Sequence, residues 1–251
     1  MSKVSKDFII CTFFILMVCW GVYMICSYNG ISLNDNYALY IPYLLAGWSP
    51  TIASYIVLKK NKQVDSFKGW VKNVFDFKHN ALSYLFVIGL SVLFILPQCL
   101  IAGYDNGAPF FAIIVMMPMM LILGGLEEAG WRYILQPDLE ERRSFVTSTI
   151  IVSLIWWLWH YPLLYIQGLL QGNHYFAFGI RVLGLSFALA CIRKCTKSVW
   201  LCVLLHCIVN SLLGIYKIRE NILSNIVTTV ILIAASFIII TIDEKKKIFE
   251  T

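Results

Sequence analysis

The sequence predicts an all-α polytopic membrane bundle of about eight transmembrane helices, and three observations predict it. First, 59% of the 251 residues are hydrophobic and only 14% are charged, with a mean hydropathy of +0.76. A soluble globular chain carries about 25% charge. Second, the apolar residues are gathered into runs of about 20, the length that crosses a hydrocarbon core of roughly 30 Å. Third, the basic residues lie almost entirely between those runs. The runs use up the chain, so residues 1–251 are expected to form a single membrane domain.

The runs fall near 8–27, 37–58, 82–103, 109–136, 145–169, 176–193, 198–216 and 222–242. The first exceeds 15 residues and lacks an Ala-x-Ala-like cleavage site, so it reads as a retained anchor and not a signal peptide. Two runs carry helix breakers: the fourth has Pro118 and the Gly124-Gly125 pair, and the fifth has Pro162. Breakers in lipid are tolerated where neighbouring groups satisfy the released backbone. Both lie near ionisable residues, which predicts irregular helices around a site.

The net charge of +6 does not mark a nucleic-acid binder, because of where the charges sit. Sixteen of the 20 basic residues occupy the N-terminus, 59–78, 142–143, 193–197 and 245–247, all on one side if eight helices alternate. Lys217 and Arg219 fall on the other side, and Arg132 and Arg181 lie inside runs. The positive-inside rule then places both termini in the cytoplasm. The small size without accessory domains fits an integral protein of a bacterial plasma membrane, with membrane lipids as its surroundings.

The eight cysteines lie within runs or on that basic side, and none has a metal-type spacing, so they are expected to be free thiols. Residues 59–80 alternate lysines with Val64, Phe67, Trp70, Val71, Val74, Phe75 and Phe77 at helical spacing, which predicts an interfacial helix on the anionic leaflet. His79 and His174 fall in loops and are expected to be solvated.

Function should sit with the few polar groups inside the runs. Glu127, Glu128 and Arg132 interrupt the fourth, while His160 lies in the fifth and His206 and Asn210 in the seventh. One charge at a helix centre in lipid costs about 2.5–3.5 kcal/mol on insertion scales. Three are kept only where they face a protein interior. Glu128 and Arg132 are i, i+4 and share a face, acid first, which is the favourable order. Glu127, about 100° around, is left to face a cavity. His160 follows Trp156 by one turn and His206 precedes Asn210 by one turn. Depth agrees for two: Glu127 lies about 13 Å from Gln136 and His206 about 12 Å from Ser198, with His160 deeper at roughly 22 Å from Phe145. A carboxylate with an imidazole can hold and activate a water. An imidazole with an amide can donate to a developing oxyanion.

Glu-Glu-x-x-x-Arg at 127–132, aromatic-x-x-x-His at 156–160 and His-x-x-x-Asn at 206–210, in that order, resemble the motifs of the CPBP family. These are the CAAX-processing and bacteriocin-processing intramembrane endopeptidases, also called the CAAX amino-terminal protease or Abi family. The resemblance covers about 105–215 and departs at Trp156, where the family usually has Phe. It implies that Glu127 activates water with His160, that His206 and Asn210 form the oxyanion hole, and that Glu128 with Arg132 supports the site. Glu127, His160 and His206 could together ligate zinc, with water as fourth ligand. The chain has no His-Glu-x-x-His pair, so no cofactor is expected.

The leading expectation is therefore an endopeptidase acting on a membrane-associated peptide or protein tail approached from the cytoplasmic side. Alternatives are a bacteriocin self-immunity or scaffold protein on the same fold, and a proton-coupled transporter. The intact polar set favours an enzyme over a binder, and the lack of an internal repeat disfavours the transporter.

Overall fold

The computed structural model describes residues 1–31, 36–170, 172 and 174–249. Its helices are α1 (Lys3–Tyr28), α2 (Tyr40–Gly47), α3 (Ser49–Lys60), α4 (Phe67–Val74), α5 (Ala81–Ala102), α6 (Ile113–Leu123), α7 (Glu128–Gly130), α8 (Gln136–Glu140), α9 (Phe145–Trp159), α10 (Tyr161–Ile166), α11 (His174–Thr196), α12 (Trp200–Ile215) and α13 (Ile222–Lys246). Side-chain caps start most of the long ones: Ser2, Asn80, Ser144 and Asn221 each accept from the backbone N–H three residues on.

The chain is an integral membrane protein. Among the described residues, six spans are long and apolar enough to cross a bilayer, and a seventh if α2 and α3, bent by 52°, are taken as one. The remaining apolar run of the eight is α12, whose 16 residues rise about 24 Å, short of the hydrocarbon thickness. It is surrounded by other helices, and most of its side chains are buried. Outward, Ile10, Phe14, Leu100 and Ile114 are more than two-thirds exposed, the belt such a bundle turns to lipid.

Contacts between element ends sort the bundle into two ends. At one, the Ser2 N–H donates to the Asp138 carboxylate (2.9 Å), Lys60 pairs with Asp7 (3.0 Å), and Phe86 stacks on Phe249. All five basic groups lie at this end. At the other, β1 (Tyr104–Asn106) pairs antiparallel with β2 (Tyr216–Ile218), and Gln167 Nε2 donates to Tyr43 Oη (2.7 Å). Three-residue strands this short leave no alternation in the sequence, and the reading of the apolar runs missed them.

The basic stretch after α3 differs from expectation. α4 is amphipathic, but its apolar face is docked on protein: Trp70 and Val74 are buried, and the Trp70 indole donates to Ser54 Oγ (3.0 Å). Phe75 and Phe77 pack on Trp200 of α12. The buried hydroxyl gives the indole N–H a partner that lipid tails would not, so the face turns inward.

The fifth run breaks at His160, beside Pro162 in the first turn of α10, but the fourth breaks elsewhere than Pro118 suggests. α6 runs through Pro118 and stops at Gly124. A 3₁₀ turn, Gly125–Glu127, follows, then α7 and a π-turn at Trp131–Leu135. The free carbonyls are answered: Trp48 Nε1, at the bend between α2 and α3, donates to Ile122 O (2.7 Å), and Arg193 Nε donates to Arg132 O (2.9 Å). Gly130 is packed so closely against Phe8 and the Pro50 carbonyl that a Cβ there would lie 2.5 Å from Phe8 Cζ.

Candidate active site

The break at Gly124 turns Glu127 and Glu128 into the interior, where both are buried and Arg132 is fully so. Arg132 Nε lies 3.1 Å from Glu128 Oε2, the i, i+4 pair expected from the spacing. Its remaining nitrogens donate to Ser186 Oγ (3.2 Å) and Gln136 Oε1 (3.3 Å), and its guanidinium sits over the Trp156 ring. Glu128 has a second partner on α12: its Oε1 is 2.9 Å from His206 Nδ1. One carboxylate thus joins the fourth and seventh runs, a contact that spacing alone does not show.

Trp156 occupies the middle of the cluster. Its indole Nε1 donates to Glu127 Oε2 (2.8 Å), and its ring meets those of His160 and His206 at 5.5 and 5.4 Å. A phenylalanine would supply the wall but not the donor, so the one departure from the motif changes the chemistry around Glu127. His160 Nδ1 lies 2.8 Å from Trp156 O. A carbonyl only accepts, so Nδ1 carries the proton and Nε2 is left as an acceptor.

Gly124 shows how the groups converge. A Cβ there would lie 2.7 Å from Asn210 Nδ2, 3.3 Å from His206 Nε2 and 3.8 Å from Glu127 Oε1. An amide, an imidazole and a carboxylate therefore surround one small space, kept open because glycine has no side chain. The sequence marked Gly124 only as a helix breaker. All six candidate residues come together, with Glu127, His160, His206 and Asn210 lining a cavity of about 370 Å³ and Glu128 with Arg132 behind them.

The cavity is walled by Leu163, Leu164, Phe178, Val182 and Leu185, among others, and reaches Tyr43, Trp48, Gln167 and Arg181. These come from the late part of the fifth run and the early parts of the second and sixth, the end opposite the basic loops. Trp131, Leu135, Gln136 and Leu139, which follow the Glu pair in sequence, are buried and do not line the cavity.

Among the described residues, no three His, Cys, Asp or Glu side chains are grouped to hold a metal ion. Nothing in this arrangement supports zinc on Glu127, His160 and His206. All eight cysteines are free. His174 is exposed and pairs with Glu220 at 3.7 Å, whereas His79 is half-buried with Nε2 out of contact with solvent.

A family model described as Rce1-like, type II CAAX prenyl endopeptidase, matches residues 109–212, from just before α6 into α12. That stretch contains all six candidate residues. A curated relative, CAAX prenyl protease 2 of Methanococcus maripaludis, is 26% identical over 271 aligned positions, covering 98% of this chain and 96% of the relative. Over residues 109–212 the chain is similar to the Rce1-like CAAX protease domain. It is an intramembrane protease, and hence a hydrolase. The Rce1-like core spans the fourth to seventh apolar runs, while α1, α3, α5 and α13 brace it from outside the matched region. Phe8 of α1 packs edge-on against Trp131, and Trp159 Nε1 donates to Ser49 Oγ at the head of α3 (2.9 Å).

Proposed function

We propose that the chain is an endopeptidase that hydrolyses a peptide bond in a prenylated-type, membrane-associated tail, using a water activated by Glu127 and His160. The observation that carries this reading is the convergence of Glu127, His206 and Asn210 on the space beside Gly124. A water there donates one hydrogen to Glu127 Oε1 and the other to His160 Nε2. Glu127 takes the proton as the water oxygen bonds to the scissile carbonyl carbon. The carbonyl oxygen, now an oxyanion, accepts from Asn210 Nδ2 and from His206 Nε2. His206 donates there as an imidazolium, with Nδ1–H held by Glu128, which supplies the opposite charge. The C–N bond then breaks, and Glu127 passes its proton to the leaving nitrogen.

The magnitudes suit the arrangement. A positioned general base contributes roughly 10²–10⁴ in rate, and one oxyanion donor about 10²–10³. Burial keeps competing water away and strengthens both effects. Arg132 and Glu128 hold His206 in register and do not touch the substrate.

The lining residues favour substrate access from the bundle end opposite the basic loops. If the termini are cytoplasmic, as the charge asymmetry predicts, that end faces away from the cytoplasm. The reading as a whole is tested by comparing membrane-associated peptides from cells carrying the wild type and Glu127→Ala. Shortened tails with new C-termini should appear only with the wild type. Identical peptide sets from both would overturn it.

A further inference from the structure

One charged group of the cavity takes no part in the chemistry above. Arg181, on α11, lines the same space as Glu127, His160, His206 and Asn210. It is the one Lys or Arg among the described lining residues, and its side chain is 22% exposed. Its guanidinium carbon is 5.9 Å from the Phe178 ring centre, and that ring meets His160 at 4.8 Å. The guanidinium is therefore no more than about 11 Å from the His160 ring.

Its acidic neighbour does not saturate it. Glu220 Oε1 is 3.9 Å from Arg181 Nη1, beyond hydrogen-bond length, and His174 shares the same oxygen at 3.7 Å. Glu220 is itself 43% exposed. A guanidinium presents five donors in a planar fork that matches a carboxylate. Here the fork stands in a mostly apolar wall with its better geometry unused. Gln167 and Tyr43, joined at 2.7 Å, line the same outer end of the cavity. The cavity thus has a chemical centre at one end and a cation at the other.

We propose that Arg181 is a specificity-determining residue that binds a carboxylate of the substrate within about three residues of the cleaved bond. An extended chain covers about 3.3–3.6 Å per residue, so a separation of at most about 11 Å corresponds to no more than about three residues. The inference rests on the endopeptidase reading and adds what fixes the register of cleavage. The carboxylate has two possible sources, the chain's own C-terminus or an acidic side chain at that position. Binding it displaces only the long contact to Glu220, so little is lost when the substrate enters.

The test uses the purified full-length protein and three peptides that share an S-farnesyl cysteine fourth from the end. One has a free C-terminal carboxylate, one a C-terminal amide, and one an amide with glutamate as its last residue. The wild type should prefer the free acid over the plain amide by about tenfold to a hundredfold in kcat/KM, the range for a charged hydrogen-bonded pair, and mainly through KM. Arg181→Gln should erase that preference by raising KM for the acid while the amide changes little, and Arg181→Lys should retain part of it. Recovery with the glutamate amide would assign a side-chain carboxylate; recovery with the free acid alone would assign the terminus.

Equal cleavage of acid and amide by the wild type would overturn the proposal. So would an equal fall in kcat for both peptides in Arg181→Gln, the mark of a purely structural residue. If the wild type cleaves none of the three, the endopeptidase reading fails by itself. The anchor is then judged by binding of the fluorescently labelled acid and amide to the Glu127→Gln protein. Tighter binding of the acid that disappears with Arg181→Gln sustains the anchor, and equal binding refutes it.

Discussion

Replacing Trp156 by phenylalanine isolates one hydrogen bond in the proposed machinery. The indole Nε1 donates to Glu127 Oε2 at 2.8 Å, and the ring is 2% exposed. Phenylalanine keeps a ring between His160 and His206 but removes that donor. A hydrogen bond to a charged group contributes about 1.5–3 kcal/mol, and a buried acceptor left without a partner costs its desolvation as well. If the bond holds Oε1 toward the water, its loss falls on the transition state, and 1.5–3 kcal/mol corresponds to roughly 10- to 150-fold in kcat/KM. The thermal midpoint should also fall, because the smaller ring leaves unfilled volume. Trp70→Phe is the control. It removes a comparable buried indole bond, to Ser54 Oγ at 3.0 Å, away from the cavity. It should lower stability while leaving kcat of the folded protein within about threefold, a margin of well under 1 kcal/mol. The assay is cleavage of a farnesylated peptide, normalised to folded protein. Trp156→Phe activity within threefold of wild type would refute the positioning role, as would losses of equal size in both variants.

Three further outcomes follow from the same geometry. Glu128→Gln leaves Arg132 without its buried partner and loosens His206, so it should cost about 3–5 kcal/mol of stability as well as activity, read by chemical denaturation and turnover. Gly124→Ala puts a methyl group 2.7 Å from Asn210 Nδ2 and 3.3 Å from His206 Nε2, in the space assigned to the water. Turnover should drop at least about a hundredfold, the size of an oxyanion-hole loss, with a much smaller shift in melting, and an active Gly124→Ala enzyme would place the chemistry elsewhere. Thorough chelation should leave peptidase activity intact, whereas activity that vanished and returned with added zinc would show that a Lewis acid is required.

The polar inventory of the site was legible in the sequence because ionisable groups in lipid are rare and costly. Glu128 and Arg132 share a face by spacing alone, and they pair at 3.1 Å. Spacing says nothing about partners on other helices, so the second bond of Glu128, to His206, was not foreseeable. Pro118 was read as a breaker, yet α6 continues through it, because the Gly124 backbone and the Trp48 indole provide a better place to stop. Trp156 could be read as an aromatic wall, but its N–H only becomes informative once Glu127 stands beside it. Arg181 was visible as a charge within a run, but only the structure places it in the cavity. The inward turn of α4 was hidden because an amphipathic face reads the same whether lipid or protein covers it.

The central claim is that Glu127 makes water the nucleophile. The most direct measurement is cleavage of a farnesylated peptide by the purified protein in ¹⁸O-labelled water, with wild type and Glu127→Gln compared at equal amounts of folded protein. The wild type should place one ¹⁸O atom in the new C-terminal carboxylate during a single turnover, and Glu127→Gln should produce no cleaved peptide. Cleavage that persists in Glu127→Gln, or a product without the label, would contradict it.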